Sequence, residues 1–250
     1  MITLGDWLAE APFGLGMSSG FFSFFAHTGM LTALVERGLR PAHLGGSSAG
    51  ALVAGAFAAG VAPSALADVL LGLDRRDFWD PAPGLGLLRG DKFDALLRRV
   101  LPVATFAACA QPVFISVFDI GRRATRVVTD GDLPTAIRAS CAVPGMFHPV
   151  RVDGRASWDG GILDRPGLVG MPAGRTLFHH IASRSPWRRR GSAALALPSR
   201  PALVSLVIDG LPRSGPFKLA AGRAALAAAR AATARALDQP IADGAVTLAA

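Results

Sequence analysis

The stretch Gly46-Ser47-Ser48-Ala49-Gly50 stands between the short apolar run His43-Leu44-Gly45 and the Ala-rich run from Ala51 to Ala59. This order is typical of a strand, a tight turn and a helix, as in a nucleophile elbow. The glycines flanking Ser48 relieve the crowding that arises when a serine is forced into a strained backbone conformation. The helix that follows offers unpaired N–H groups and the positive end of its dipole beside the hydroxyl. We therefore interpret Ser48 as the candidate nucleophile, with Gly46 and Gly50 as the elbow glycines.

The composition indicates a folded protein with a large core. The chain has 250 residues, of which 51% are hydrophobic and 18% charged, so disorder is excluded for most of its length. A chain of this size is expected to form one domain over residues 1–250. The net charge of +8 suits an anionic partner such as a phospholipid surface, although arginine-rich composition also follows from coding bias. Tyrosine is absent and aromatic residues are not interleaved with basic ones, so we expect no nucleic-acid partner.

The cysteines and the N-terminal segment bear on the cellular compartment. Cys109 and Cys141 lack metal-type spacing and are too few for a disulfide framework, so we expect a reducing cytoplasm, no metal and no cofactor. The first residues lack the basic region of a signal peptide. Ala11–Val35 and Pro41–Ala67 contain no charged residues, which leaves a transmembrane hairpin as an alternative to two buried core helices. We favour buried helices, because glycines, serines and Pro63 interrupt the second stretch.

The first 60 residues are predicted to form a strand, a loop, a helix, a strand, the elbow and a second helix. The first helix runs from about Phe22 to Arg37 and is closed by Gly38. This pattern is typical of a parallel, doubly wound α/β sheet, in which the loops at the carboxyl ends of the strands share one edge. The loop Ser18-Ser19-Gly20 is then an anion-binding corner beside the elbow.

The rest of the chain continues the α/β pattern. Pro81–Gly90 is expected to be a loop over the site, and Asp153-Gly154 a hairpin turn that leads to Asp159-Gly160-Gly161. Further strands are predicted at 112–120, 125–129, 175–182 and 202–208, and helices at 63–73, 91–101, 132–140 and 216–237, the last being rich in alanine and arginine.

A serine nucleophile needs a base. The order Ser48, Asp159, His180 permits an α/β-hydrolase triad, but the elbow of that fold follows several strands and here at most two precede it. The alternative is that Asp159 acts on Ser48 directly, because glycines after it let a partner backbone approach closely. Asp130-Gly131 and Asp153-Gly154 have a similar pattern, and any of the three aspartates could merely start a turn.

The combination of motifs resembles the patatin-like phospholipase family. The resemblance covers residues 13 to 182 and rests on the elbow, the preceding loop, the helix carrying His27-Thr28-Gly29-Met30-Leu31, the segment Ala139-Ser140-Cys141-Ala142-Val143-Pro144 and Asp159-Gly160-Gly161. It implies a three-layer α/β/α fold with a mostly parallel central sheet. It also implies a Ser48–Asp159 dyad that hydrolyses lipid acyl esters without histidine or metal. From the cysteines and the net charge, we expect the protein in the cytoplasm or peripherally at the inner membrane face.

The predicted oxyanion loop departs from the family pattern. The family usually has Gly-Gly-Gly-x-Arg/Lys-Gly, whereas this chain has Gly14-Leu15-Gly16-Met17-Ser18-Ser19-Gly20-Phe21-Phe22, without a basic residue. We nominate the N–H groups of Ser19, Gly20, Phe21 and Ala49 as oxyanion donors. Because of the departure, a non-catalytic protein that binds lipid or a partner remains the alternative to a serine acyl hydrolase.

Two groups of side chains complete the predicted site. Aromatic residues of the first helix are expected either to line an acyl channel or to pack in the core: Phe21, Phe22, Phe24 and Phe25. Basic and aromatic residues further along are expected either to contact anionic headgroups or to be solvated: Arg184, Trp187, Arg188, Arg189 and Arg190.

Overall fold

The computed structural model describes residues 2–182 and 195–250. Its helices are α1 (Leu4–Glu10), α2 (Phe24–Glu36), α3 (Ala49–Ala58), α4 (Pro63–Leu71), α5 (Asp91–Val100), α6 (Leu133–Ser140) and α7 (Leu219–Ala236). Its strands are β1 (Gly14–Met17), β2 (His43–Ser47), β3 (Gly86–Leu88), β4 (Val113–Asp119), β5 (Ala124–Val128), β6 (Gly145–Phe147), β7 (Val150–Val152), β8 (Arg155–Asp159), β9 (Thr176–His180), β10 (Leu203–Asp209) and β11 (Ala245–Ala249). The basic segment 184–190, predicted either to contact anionic headgroups or to be solvated, lies outside the described residues.

The main sheet confirms the predicted α/β class. Its order is β11-β10-β9-β1-β2-β4-β8-β7, with β5 paired to β4. Every pairing from β11 through to β4 is parallel, whereas β5, β7 and β8 add antiparallel pairings at one side. β1 lies between β2 and β9, so the strand order changes direction there. Ligands of open α/β sheets bind at the carboxyl ends of strands beside such a switch point.

The two faces of the sheet are covered differently. Alternate residues such as Leu15, Leu44 and Leu177 point into the large core that the helices cover, and each is fully buried. Residues of opposite parity contact a smaller cluster built on Leu168 and Met171. Leu168 and Met171 therefore cover part of this second face.

Helices α2 and α7 pack at very short range. An added Cβ on Gly29 would lie 2.1 Å from the carbonyl oxygen of Leu226, and one on Gly222 would lie 2.3 Å from the ring of Phe25. These glycines let the two backbones approach and leave Phe25 fully buried between the helices. The Ala-rich C-terminal helix is thus a packing partner of the helix that follows the first loop.

Several details differ from the sequence prediction. Pro81–Gly90 is not wholly a loop, because β3 within it pairs in parallel with β6 as a separate two-stranded sheet. The short elements α1 and β11 were not predicted. No helix among residues 2–182 and 195–250 is long and apolar enough to cross a membrane, and α2 and α3 are buried in the core. The one-domain organisation stays a prediction.

We expect Gly29→Ala to destabilise the protein although alanine favours helix. The clash with the Leu226 carbonyl forces α2 and α7 apart, and overpacking of this kind costs about 1–3 kcal/mol. Urea unfolding monitored by circular dichroism would measure the change. Gly72→Ala is the matched control, because its nearest contact would be 3.5 Å away. Equal stability of the two variants would contradict close packing at Gly29.

Candidate active site

Ser48 occupies a strained elbow between β2 and α3. Its φ is +54° and its ψ is −120°, a combination that a non-glycine residue rarely adopts. An added Cβ on Gly46 would lie 2.4 Å from the carbonyl carbon of Gly50, and one on Gly50 would lie 2.0 Å from the carbonyl oxygen of Met17. Both glycines are therefore required by the close packing of the turn, for the reason that the sequence suggested.

The register of β4 brings Ser48 and Asp159 together. β2 runs parallel to β4 and ends at the pair Ser47 with Ser116, while β8 runs antiparallel and ends at the pair Asp159 with Val117. β5 pairs with the opposite edge of β4, so β2 and β8 share one edge and their carboxyl ends meet. The Ser48 hydroxyl donates a hydrogen bond of 2.6 Å to Oδ2 of Asp159. Two residues 111 positions apart in sequence are thus in direct contact.

The main chain of Ser48 is held by the end of α6. Its N–H donates to Oγ of Ser140 at 2.8 Å, and the Ser140 hydroxyl donates in turn to the carbonyl of Ser116 at 2.6 Å. The thiol of Cys141 donates to the Ser48 carbonyl at 3.2 Å. Burial and the nearby Asp159 carboxylate raise the pKa of Cys141 well above its usual value, so it remains a thiol donor. These contacts fix the strained backbone without involving the Ser48 hydroxyl oxygen.

Asp159 is oriented by the glycines that follow it. Its Oδ1 accepts the N–H of Gly161 at 2.8 Å, while Oδ2 faces Ser48, and its own N–H donates to the Ala142 carbonyl. Gly160 has no room for a side chain, because a Cβ would lie 2.0 Å from the Ser116 carbonyl oxygen. The carboxylate is buried, with 6% of the residue exposed. Its environment is set by the protein and not by bulk water.

The loop after β1 lies directly against this turn. An added Cβ on Gly161 would lie 2.4 Å from Oγ of Ser19. The N–H of Ser19 donates to the carbonyl of Arg165 at 2.7 Å, so Ser19 was wrongly nominated as an oxyanion donor. Gly20 and Phe21 follow it in the loop, and Ala49 is the first residue of α3, where an N–H has no partner within the helix. The three remaining nominations stay predictions.

Three buried histidines, His27, His179 and His180, form a cluster next to the loop that follows β1. Nε2 of His27 donates to the Ser18 carbonyl at 2.8 Å, which leaves its Nδ1 to accept from Nδ1 of His179, also at 2.8 Å. Burial lowers the pKa of His27 and of His180 to about 4 and that of His179 well below its usual value. The imidazoles are therefore neutral at physiological pH and act as fixed hydrogen-bonding groups.

The alternative acid–base residues lie elsewhere or have other contacts. His180, proposed for a triad, is buried in β9 beside Phe178, and the Ser48 hydroxyl bonds to Asp159 itself. Asp153 lies in the turn between β7 and β8 and pairs with Arg126. Asp130 is exposed in the connection that follows β5. Of these three candidate aspartates, Asp159 is the one that reaches the elbow serine.

An apolar pocket opens from Ser48. It is lined by residues of α3, α4 and α5, by the start of α2 and by the segment after α6: Gly20, Phe21, Phe22, Phe24, Ser48, Ala49, Leu52, Ala56, Leu66, Val69, Leu70, Leu73, Phe78, Phe93, Leu96, Leu97, Val100, Leu101, Cys141, Val143, Met146 and Phe147. Three of the four predicted phenylalanines line it, but Phe25 packs in the core against Gly222 instead. The pocket suits a hydrocarbon chain whose polar end lies at Ser48.

The sequence did not predict the residues that hydrogen-bond to the elbow and to the loop after β1. Ser140 and Cys141 were noted only as part of a motif, although a serine and a cysteine at a helix end suggest short-range hydrogen bonding. Ser116 and Arg165 gave no signal, because their roles depend on strand pairing and on a loop that returns to β1.

The histidine cluster predicts a pH-dependent stability. In the unfolded state His27 takes up a proton near pH 6.5, whereas in the folded protein its pKa is about 4. The free energy of unfolding therefore falls as the pH drops from 6.5 to 4. The wild type loses unfolding free energy between pH 7.5 and 5.0, and we expect His27→Gln to lose about 2 kcal/mol less. This figure is about 1.4 kcal/mol per pH unit, applied below pH 6.5. Urea titrations at both pH values would measure this. His148→Gln, outside the cluster, is the control; an unchanged pH dependence in His27→Gln would refute the assignment.

Comparisons with known proteins agree with the α/β fold. The model of the family described as "Patatin-like phospholipase" matches residues 15–169. An uncharacterised NTE family protein of Mycobacterium tuberculosis (strain ATCC 25618 / H37Rv) is 35% identical over 154 residues, 60% of this chain and 42% of that protein. A second from the same strain is 29% identical over 161 residues, 63% of this chain and 27% of that protein.

Among solved structures, VipD from Legionella pneumophila has a TM-score of 0.58 at 16% identity, and the match covers 79% of this chain and 50% of VipD. At this identity the likeness concerns the fold alone. The chain spans less than half the length of the two curated relatives. Because the family model covers more than half of the chain, the protein belongs to the patatin-like phospholipase family.

Proposed function

We propose that the protein is a lipid acyl hydrolase in which Ser48 is the nucleophile and Asp159 the general base. The observation that carries the proposal is the 2.6 Å hydrogen bond from the Ser48 hydroxyl to Oδ2 of Asp159, made at one end of an apolar pocket. A base must lie within hydrogen-bond reach of the proton it removes, and this geometry meets that requirement. Membership of the patatin-like phospholipase family supports the same reaction class.

The first half of the reaction forms an acyl-enzyme. Oδ2 of Asp159 accepts the Ser48 proton while Oγ forms a bond to the ester carbonyl carbon, giving a tetrahedral oxyanion. The intermediate collapses as the bond to the leaving alcohol oxygen breaks, and that oxygen takes the proton from Asp159. The elbow supports this step because the contacts from Ser140 and Cys141 involve the Ser48 main chain and leave Oγ available.

The second half reverses the roles. A water molecule gives a proton to Asp159 and its oxygen attacks the acyl carbon, and the Ser48 oxygen leaves with that proton to release a carboxylic acid. Backbone N–H groups of Gly20, Phe21 and Ala49 are the oxyanion donors we propose for both tetrahedral intermediates. The dipole of α3 adds positive potential at the same position.

The pocket favours a substrate with a hydrocarbon acyl chain. Of its lining side chains, the Ser48 hydroxyl and the Cys141 thiol are the polar ones, and the rest are aliphatic or aromatic. A phospholipid or lysophospholipid ester supplies an acyl chain for this pocket. We further propose that the protein acts in the cytoplasm or at the inner membrane face, where its positive charge favours anionic lipid and its cysteines stay reduced.

One observation favours a second function, a non-catalytic lipid- or partner-binding protein. The loop after β1 has no basic side chain, and the Ser19 N–H is bonded to Arg165. Fewer donors would then face the oxyanion than the family pattern implies. The apolar pocket could still hold an acyl chain without turnover.

We expect an activated alkyl phosphonate to label the wild type and not Ser48→Ala. Asp159→Asn should lower kcat on a p-nitrophenyl ester by about 10²–10⁴, because the base is lost while binding is kept. Asp153→Asn is the control, since it changes an aspartate of another Asp-Gly turn, and should stay within about twofold. Folded wild-type protein that is neither labelled nor active would favour the non-catalytic alternative.

The pocket also predicts acyl-chain selectivity. Ala56 lies eight residues beyond Ser48 along α3, about 12 Å at 1.5 Å per residue, and lines the same pocket. We expect Ala56→Phe to reduce kcat/KM for p-nitrophenyl palmitate at least tenfold, because the ring blocks the chain, and to leave p-nitrophenyl butyrate within about threefold. Retained butyrate activity shows an intact site. Equal losses on both esters would place the acyl chain elsewhere.

A further inference from the structure

Arg165 is a buried cation that has no role in the proposed reaction steps. Among the residues that the structure describes, it is the only arginine or lysine classed as buried, with 3% of its surface exposed. A buried charge is costly to maintain and is usually retained with defined partners. It follows Asp164 in the segment that begins with the catalytic turn, so its position depends on the same loop as Asp159.

The main chain and the side chain of Arg165 hold the loop after β1 from two sides. The Arg165 carbonyl accepts the N–H of Ser19 at 2.7 Å. Its guanidinium donates to the carbonyl of Ile181, and the N–H of Ile181 donates to Oγ of Ser18 at 2.9 Å. Ser18 and Ser19 are thus fixed directly by the arginine and through the residue that follows β9.

The position of Arg165 is itself well fixed. The Asp164 carboxylate accepts the Ser116 hydroxyl at 2.6 Å and the N–H of Gly167 at 3.0 Å. Ser116 is the residue of β4 whose carbonyl supports the elbow through Ser140. One hydrogen-bonded segment therefore links the nucleophile, the base and the loop that faces them.

Two of the side chains near Arg165 are the buried histidines His27 and His180. His27 and His180 are near enough for the arginine to contribute to lowering the pKa of each, and burial keeps both neutral. A permanent positive charge in such a low-dielectric place acts over a longer range than a surface charge does. The loop whose own sequence lacks a basic residue therefore lies next to one supplied by a distant segment.

We infer that Arg165 is a positioning residue for the oxyanion donors, acting through Ser18 and Ser19 to hold Gly20 and Phe21 towards the Ser48 ester adduct. The inference rests on the proposed acyl hydrolase. The residue touches no reacting atom, so its loss lowers stabilisation of the tetrahedral state more than it lowers binding of the ground-state ester. Loss of Arg165 is therefore expected to change kcat and the Ki of tetrahedral-state analogues more than KM.

The test compares Arg165→Met and Arg165→Lys with the wild type. The measurements are kcat and KM for p-nitrophenyl butyrate and the Ki of an alkyl trifluoromethyl ketone, which forms a tetrahedral adduct on serine. We expect Arg165→Met to lower kcat and raise Ki by about tenfold, with KM changed less than threefold, and Arg165→Lys to recover part of both. A change below fivefold in kcat and Ki for folded Arg165→Met overturns the inference.

Arg200→Met is the matched control. Arg200 also donates to carbonyls of this segment, those of Leu168 and Pro172, but at the end away from Ser18 and Ser19. It should lower thermal stability while kcat and Ki stay within twofold. An equal loss of kcat in Arg200→Met would show a general structural role for both arginines and overturn the inference.

A second variant covers the case in which Arg165→Met does not fold. Ser18→Ala removes the acceptor of the Ile181 N–H and leaves the arginine in place. It should raise Ki for the ketone at least fivefold, and a smaller change overturns the inference. Phosphonate labelling of wild-type Ser48 separates the two failures. An unlabelled wild type refutes the proposed function, whereas a labelled wild type with unaffected Arg165 and Ser18 variants refutes the inference alone.

Discussion

The site depends on a single stretch of β4, the pair Ser116 and Val117. On one edge of that strand, β2 ends opposite Ser116 and β8 ends opposite Val117, so two strands of opposite direction deliver Ser48 and Asp159 to one point. The Ser116 carbonyl also accepts the Ser140 hydroxyl that supports the elbow, and it lies so close to Gly160 that no side chain fits there. A shift of one residue in this register would move every contact of the dyad, because alternate residues of a strand face opposite sides.

Ionisable side chains near the proposed dyad and under its first loop are held in neutral forms. The Cys141 thiol and the three histidines under the first loop are all kept uncharged, chiefly by burial. The Cys141 thiol and the Nε2–H of His27 therefore act as donors, to the carbonyls of Ser48 and Ser18 respectively. A carboxylate whose second oxygen accepts the Gly161 N–H can present the first one to serine without a histidine between them.

Much of this could be predicted from the sequence, and the limits have physical causes. Glycine spacing around Ser48 predicted the elbow, because glycines relieve backbone crowding there, and the order of strand, loop and helix in the first 60 residues predicted the parallel α/β sheet. Asp159 was one of three Asp-Gly candidates and was favoured by its second glycine, but the local sequence does not show which of the three reaches Ser48. Asp159 is placed next to Ser48 by the pairing of β8 with β4, which is a contact between segments far apart in the sequence. Ser19 was misassigned for the same reason, because the carbonyl that binds its N–H comes from residue 165.

The unusual first loop shows how a motif can change while its geometry is supported from elsewhere. In a glycine-rich loop that has its own basic residue, the flexibility and the positive charge both come from residues of the loop itself. Here the loop contains two serines and no basic residue, and each serine is held by hydrogen bonds: Ser18 by His27, His179 and Ile181, and Ser19 by Arg165. Such ties restrict the loop more than glycines would, since glycine adds conformational freedom that must be lost on ordering. The N–H groups that follow can therefore be directed at Ser48 by the buried cluster beneath them, and departure from the motif does not by itself imply loss of activity.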